Sequence, residues 1–299
     1  MSDPLIGKMA ALATAVCWTL TAQAFEHAGK RVGSLPVNLI RLVLAFFLLS
    51  LYTWITRGLP LPLDASGHTW VWLLISGFIG FSLGDLFLFR AFVVVGARIS
   101  MLIMSLVPPL TALIGWIFMR ETLALMDWAG MALTIGGVGL VISQRRDNGG
   151  GKSFRHPISG VLLAFGGAVG QAAGLVLSKF GMGSYDAFAA THIRIMAGIA
   201  GFLVIFTLRK SWPRTAAALR DRTAMRSISL GAFFGPFLGV SLSLLAVQYI
   251  ATGVASTFMS IVPVLIIPPA VLFFHEKITV MEIVGALLAV SGIALLFLH

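Results

Sequence analysis

Residues 100–121, SMLIMSLVPPLTALIGWIFMRE, are answered later in the chain by residues 255–276, ASTFMSIVPVLIIPPAVLFFHE. Adding 155 carries Met104, Ser105, Pro108 and Glu121 onto Met259, Ser260, Pro263 and Glu276 without a gap. The same register carries Gly130 and Gly137 onto Gly285 and Gly292, and reaches back to Gly80 and Gly84, which fall on Gly235 and Gly239. Nearer the start a second offset, 153, holds: Gly7, Ala11, Ala15 and Val16 recur as Gly160, Ala164, Ala168 and Val169, and Ile40-Arg41 as Ile193-Arg194. The chain is an internal duplication.

What is duplicated is apolar. Of 299 residues, 58% are hydrophobic and 11% charged, where a soluble domain carries about a quarter charged; mean hydropathy is +0.98. Apolar runs of about twenty residues, enough to cross ~30 Å of hydrocarbon, recur throughout. They predict ten spans, at 6–25, 37–56, 70–93, 98–119, 124–143, 158–178, 187–208, 228–248, 252–274 and 279–298. The expected fold is an all-α polytopic membrane protein, its ten transmembrane helices forming two five-helix repeats, residues 1–143 and 157–299. Between them, 144–156 reads as a flexible basic linker carrying Arg145, Arg146, Gly149, Gly150, Gly151, Lys152 and Arg155. The first span lacks a basic stretch before it and has a counterpart in the second repeat, so it reads as retained rather than as a signal peptide.

An odd number of spans per repeat forces the second copy into the membrane upside down, the plan of many secondary transporters. The net charge of +10 would suggest a nucleic-acid partner in a soluble protein. Here the basic residues lie in short loops, where membrane orientation accounts for them. Loops after the odd-numbered spans hold most of them, among them Lys30, Arg31, Arg209, Lys210 and Arg214. The other side holds Lys8, Arg57, Arg120 and Lys179. The positive-inside rule then places both termini outside the cytoplasm.

Chemistry is sparse. Cys17 is the sole cysteine, which excludes an internal disulfide and a multi-cysteine metal site. The six histidines are scattered without ligand spacing. No catalytic residue, metal site or cofactor is expected, and the chain does not read as an enzyme. The residues that reach mid-depth with a polar or shaped side chain include Trp18, Ser82, Met101, Ser105, Gln171, Ser241 and Ser260. Trp18 and Gln171 occupy equivalent places in the two repeats and suit a cavity wall; serines in membrane helices more often bond their own helix backbone. Pro108 and Pro263 are expected to kink the fourth and ninth spans. Asp85, the most interior acid, is either a proton-coupling carboxylate or half of a structural pair with Arg90 or another base. Arg41 either snorkels to the interface or pairs with Glu26. Glu121 and Glu276, at span ends, read as caps for the next helix or as ion-pair partners.

Gly96-Ala97-x2-Ser100, Ser105-Leu106-x-Pro108, Glu121, Gly130 and Gly137, echoed from Gly253 to Gly292, resemble the EamA repeat of the drug/metabolite transporter superfamily, most closely its bacterial amino-acid exporters. The resemblance implies a ten-helix carrier in the bacterial inner membrane, exporting amino acids or related small metabolites by alternating access. It implies a central cavity walled by the first, third, fourth, sixth, eighth and ninth spans, which places Trp18, Ser82, Met101, Ser105, Gln171, Ser241 and Ser260 nearest the solute. The partners expected are a small-molecule substrate and the lipid bilayer, with no nucleic acid and a monomer by default. A proton-coupled drug exporter and a non-transporting membrane binding or accessory protein are the competing readings.

Overall fold

The computed structural model describes residues 4–95, 100, 103–144, 158–265 and 279–298. Six helices in it are long and apolar enough to cross a membrane. They are α1 (Pro4–Val32), α2 (Ser34–Arg57), α3 (Gly67–Val94), α6 (Ile158–Met182), α7 (Ala187–Arg209) and α9 (Arg222–Tyr249). Shorter apolar helices complete the set: α4 (Val107–Met119), α5 (Leu125–Gln144), α10 (Thr252–Met259), α11 (Val262–Leu265) and α12 (Val280–Leu298). A short helix that the loop-rich sequence did not predict, α8 (Trp212–Arg220), lies between α7 and α9. Among the described residues there is no strand, as a chain spanning hydrocarbon by helices requires.

Helix ends follow local chemistry. Ser66 and Asp186 cap α3 and α7, their side chains accepting from the backbone N–H of Thr69 and Ala189. Gly33, with φ of 89°, supplies the left-handed turn that lets α2 begin one residue after α1 ends. Because successive spans alternate in direction, the start of α1, the end of α12, the α2–α3 and α6–α7 loops and the ends of α4 and α9 share one face. We call it the terminus face. The α1–α2 turn and the α7–α9 segment share the opposite, basic face, where Arg31 pairs with Asp221.

The repeat is visible in how helices approach. α6 crosses α3 with backbone touching backbone: a Cβ placed on Gly174 would lie 3.1 Å from the Gly80 Cα, and one on Gly170 would lie 2.7 Å from the Gly84 Cα. α1 crosses α9 at the equivalent place, but there side chains fill the space, with Phe25 against Gly231 and Trp18 against Gly239. α5 and α12 interlock through the repeated glycines themselves. A Cβ on Gly137 would meet the Gly285 carbonyl at 2.5 Å, and one on Gly292 the Gly130 carbonyl at 2.6 Å. On the other flank α2 and α7 close over an aromatic and aliphatic core that includes Leu42, Leu49, Phe81, Phe202 and Phe237.

Two irregularities recur at the repeat offset. α3 and α9 each contain a π-helical stretch, Phe78–Gly84 and Phe233–Gly239, 155 residues apart. Each is closed by a bond reaching five residues back, from the Asp85 N–H to the Gly80 carbonyl and from the Val240 N–H to the Gly235 carbonyl. Such stretches cluster at functional sites. No periodicity predicts them, because one widened turn is too short to register in spans that are apolar on most faces. The prolines do something stronger than the expected kink. Helix stops at a turn over Ser105–Leu106 and at another over Ser260–Ile261, and α4 and α11 begin immediately after. Pro108 and Pro263 therefore sit in the first turn of a new helix, where a missing N–H costs nothing.

The α5–α12 contact gives a direct test. Gly137→Ala is expected to cost about 1–3 kcal/mol through forced separation of the two backbones, read as a lowered unfolding temperature in detergent. Gly139→Ala, whose Cβ would meet nothing within 4 Å, should leave stability unchanged or raise it by up to about 1 kcal/mol.

Candidate functional site

The helix breaks and π-helical stretches fall on α3, α4, α9 and the α10–α11 pair, with α1 and α6 packed between them. Trp18 of α1 is half-buried and directs its indole at α9: a Cβ on Gly239 would sit 2.7 Å from Nε1. Met104, Val107 and Leu110 pack on Ala168 and Ala172 of α6. Ser105 lies buried in the α4 break, and Gln171 is half-buried on α6. Ser260 sits in the equivalent break, its hydroxyl donating to the Thr257 carbonyl at 2.8 Å. Ser243 likewise donates to the Val240 carbonyl at 2.7 Å. Ser241 is fully buried and its hydroxyl has no hydrogen-bond partner among the described residues.

Ser82 is placed elsewhere. It is fully buried, its hydroxyl lies within 3.5 Å of the Ala197 and Gly198 carbonyls of α7, and a Cβ on Gly201 would sit 2.1 Å from it. It therefore faces α7 and not the space beside Trp18. The widened turn rotates the face of α3 at this point, which simple helical periodicity cannot anticipate. Met101 and Glu276 lie outside the described residues.

The charges are arranged differently from the expectation. Arg41 does not snorkel but pairs with Asp85 on α3, and Asp85 uses Arg41 rather than Arg90; the side chain of Glu26 lies outside the described residues. Arg41 Nε also donates to Asn38 Oδ1 at 3.0 Å, and its guanidinium lies 4.6 Å from the Phe89 ring centroid and 5.2 Å from that of Phe25. Side-chain exposure is 6% for Arg41 and 12% for Asp85, so the pair is held out of water. Arg194, the repeat counterpart of Arg41, lies against Phe81, 5.0 Å from the ring centroid. Its backbone presses on Gly77, where a Cβ would be 2.3 Å from the Arg194 carbonyl. Arg41 comes seven residues after Ser34 and Arg194 seven after Ala187, each about 10 Å along its helix. Since α2 and α7 enter from opposite faces, the two arginines reach the interior from opposite sides.

The terminus face is fastened across the repeats. Glu121, after α4, accepts from Lys179 Nζ at 2.6 Å with one carboxylate oxygen. With the other it accepts from the Thr252 N–H at 2.9 Å and hydroxyl at 2.6 Å. Lys179 Nζ also donates to the Ile250 carbonyl at 2.8 Å. Glu121 is thus both cap and ion-pair partner, but the helix it caps is α10 of the other half. Beside it the Tyr185 hydroxyl donates to Asp64 at 2.8 Å and accepts from Arg57 at 3.2 Å. Gln248 donates to the Tyr185 carbonyl at 2.6 Å. Burial alone would raise the Asp64 carboxyl, but the bond from Tyr185 and the nearby Arg57 bring it below the usual carboxylate range. On the basic face the Ala224 N–H and then Arg31 hold Asp221 low in the same way.

Breaking a buried pair leaves an uncompensated charge. Asp85→Asn and Arg41→Gln are each expected to cost about 3–5 kcal/mol. The double variant should cost less than the sum of the two, and thermal unfolding of the four proteins measures that coupling.

The sequence profile of the EamA-like transporter family matches residues 5–143 and again residues 158–298. One solved crystal structure superposes with a TM-score of 0.73 over 97% of this chain and 95% of its own, at 16% sequence identity, a likeness of fold. No curated protein sequence matches the chain.

Proposed function

This chain belongs to the EamA-like transporter family, and from that premise we propose that it exports amino acids, aromatic and other neutral ones included, or closely related metabolites, by alternating access. The family makes the protein a multi-pass membrane transporter of small metabolites. The observation that carries the finer reading is the pairing of irregular backbone. π-Helical stretches at Phe78–Gly84 and Phe233–Gly239, and helix breaks at Ser105–Leu106 and Ser260–Ile261, recur in both halves. Transporters tolerate irregular backbone where it lines a solute path, and repeat-related elements let one half rock against the other. The two repeats are residues 1–143 and 157–299, joined by the basic linker at 144–156, with both termini periplasmic and the chain a monomer in the bacterial inner membrane. Trp18, Ser105, Gln171, Ser241 and Ser260 are the side chains we assign to the solute path. The amino-acid subclass rests on the resemblance of the repeat motifs to those of the bacterial exporter YddG.

Reconstituted into liposomes, the protein should move radiolabelled amino acids without ATP and exchange them in counterflow. Uptake of none across a full amino-acid panel would sink the reading, and binding without counterflow would make the chain an accessory protein instead. The buried carboxylate of Asp85 favours one second reading, a proton-coupled exporter. Its pairing with Arg41 argues for a structural role. Under the structural role, folded Asp85→Asn retains uphill transport in a pH gradient; under coupling it loses it while counterflow persists.

A further inference from the structure

We infer that Arg194 is the anchor for the anionic group of the transported solute, a carboxylate taken up beside the crossing of α3 and α6; the inference rests on the transport reading above. The first support is a count of buried charge. Arg41 is neutralised by Asp85 and further held by Asn38. Arg194 is only 6% exposed, and among the described residues the acid whose field reaches it is that same Asp85. Among the described residues, α2, α3 and α7 therefore bury two cations, Arg41 and Arg194, against one anion, Asp85. An uncompensated guanidinium in a membrane interior is costly, and such residues mark solute or ion paths.

The second support is that Arg194 is under-used. Its Nε has no hydrogen-bond partner among the described residues, whereas the equivalent nitrogen of Arg41 donates to Asn38 at 3.0 Å. A guanidinium presents five N–H donors in a planar fork matched to a carboxylate's two oxygens. The third is location. The head of Arg194 comes to the bare backbone where α3 and α6 meet: a Cβ on Gly80 would lie 3.0 Å from one of its terminal nitrogens, and a Cβ on Gly174 3.4 Å away. Gln171 precedes Gly174 by three residues, so it shares that side of α6, one turn along. Glycine on both helices lets the guanidinium lie against bare backbone at the junction, with no Cβ of either helix between. The equivalent crossing of α1 and α9 is filled by Phe25, so the anion site exists once and not twice.

The test compares a carboxylate with its absence. Equilibrium binding of L-phenylalanine and of 2-phenylethylamine, which lacks the carboxylate, is measured on the purified full chain, and of L-leucine and 3-methylbutylamine in parallel. Wild type should bind the acids about tenfold to a hundredfold more tightly than the amines, the range for a hydrogen-bonded charge. Arg194→Gln should bring that ratio to about one while leaving amine affinity unchanged, and Arg194→Lys should recover part of it. Gly80→Ala tests the same point without removing the charge. Its nearest neighbour is the mobile guanidinium head, so the protein should fold normally yet lose acid preference. A wild type that transports amino acids but binds acid and amine alike overturns the role of Arg194 and leaves the transport reading standing. So does a folded Arg194→Gln or Gly80→Ala variant with an undiminished ratio. A wild type that neither binds nor moves any amino acid overturns both.

Discussion

The close crossing of α3 and α6 is the contact on which the rest of the molecule depends. With Gly80 facing Gly174 and Gly84 facing Gly170, the two backbones approach to the limit that atoms allow. Lipid offers no hydrophobic gain for helix association, so van der Waals contact of this kind is the principal source of cohesion. It also places the π-helical stretch of α3 directly on α6, puts Asp85 at its end, and leaves room for Arg194 of α7 to reach the junction. Any side chain larger than hydrogen at Gly170 would push α6 away and undo all three.

The duplicated chain is not symmetric in use. α1 and α9 repeat the crossing of α6 and α3 but fill it with Trp18 and Phe25. Arg41 and Arg194 are repeat mates, yet Asp85 exists in one half alone, its counterpart being Val240. The terminus face shows the same asymmetry. Glu121 of the first half secures Lys179 and the start of α10 in the second. Duplication supplies two similar frames, and single substitutions of charge for apolar residue give the two sides different tasks. A carrier that must release solute on one side has a use for that difference.

The amino-acid sequence by itself determined the membrane class, the two halves, their opposed insertion and the repeated glycines and prolines, because each is a matter of hydropathy, spacing or backbone chemistry along the chain. Only the tertiary structure decided the partners. Arg41 and Asp85 are 44 residues apart, and Glu121 and Thr252 are 131 apart; nothing local states that they meet. It also decided that Ser82 faces α7 and that Pro108 starts a helix instead of bending one. A widened turn or a break rotates every side chain beyond it, and the linear pattern carries no record of that rotation. Side-chain pairing depends on which helices cross and at what angle, and that is fixed by packing in three dimensions.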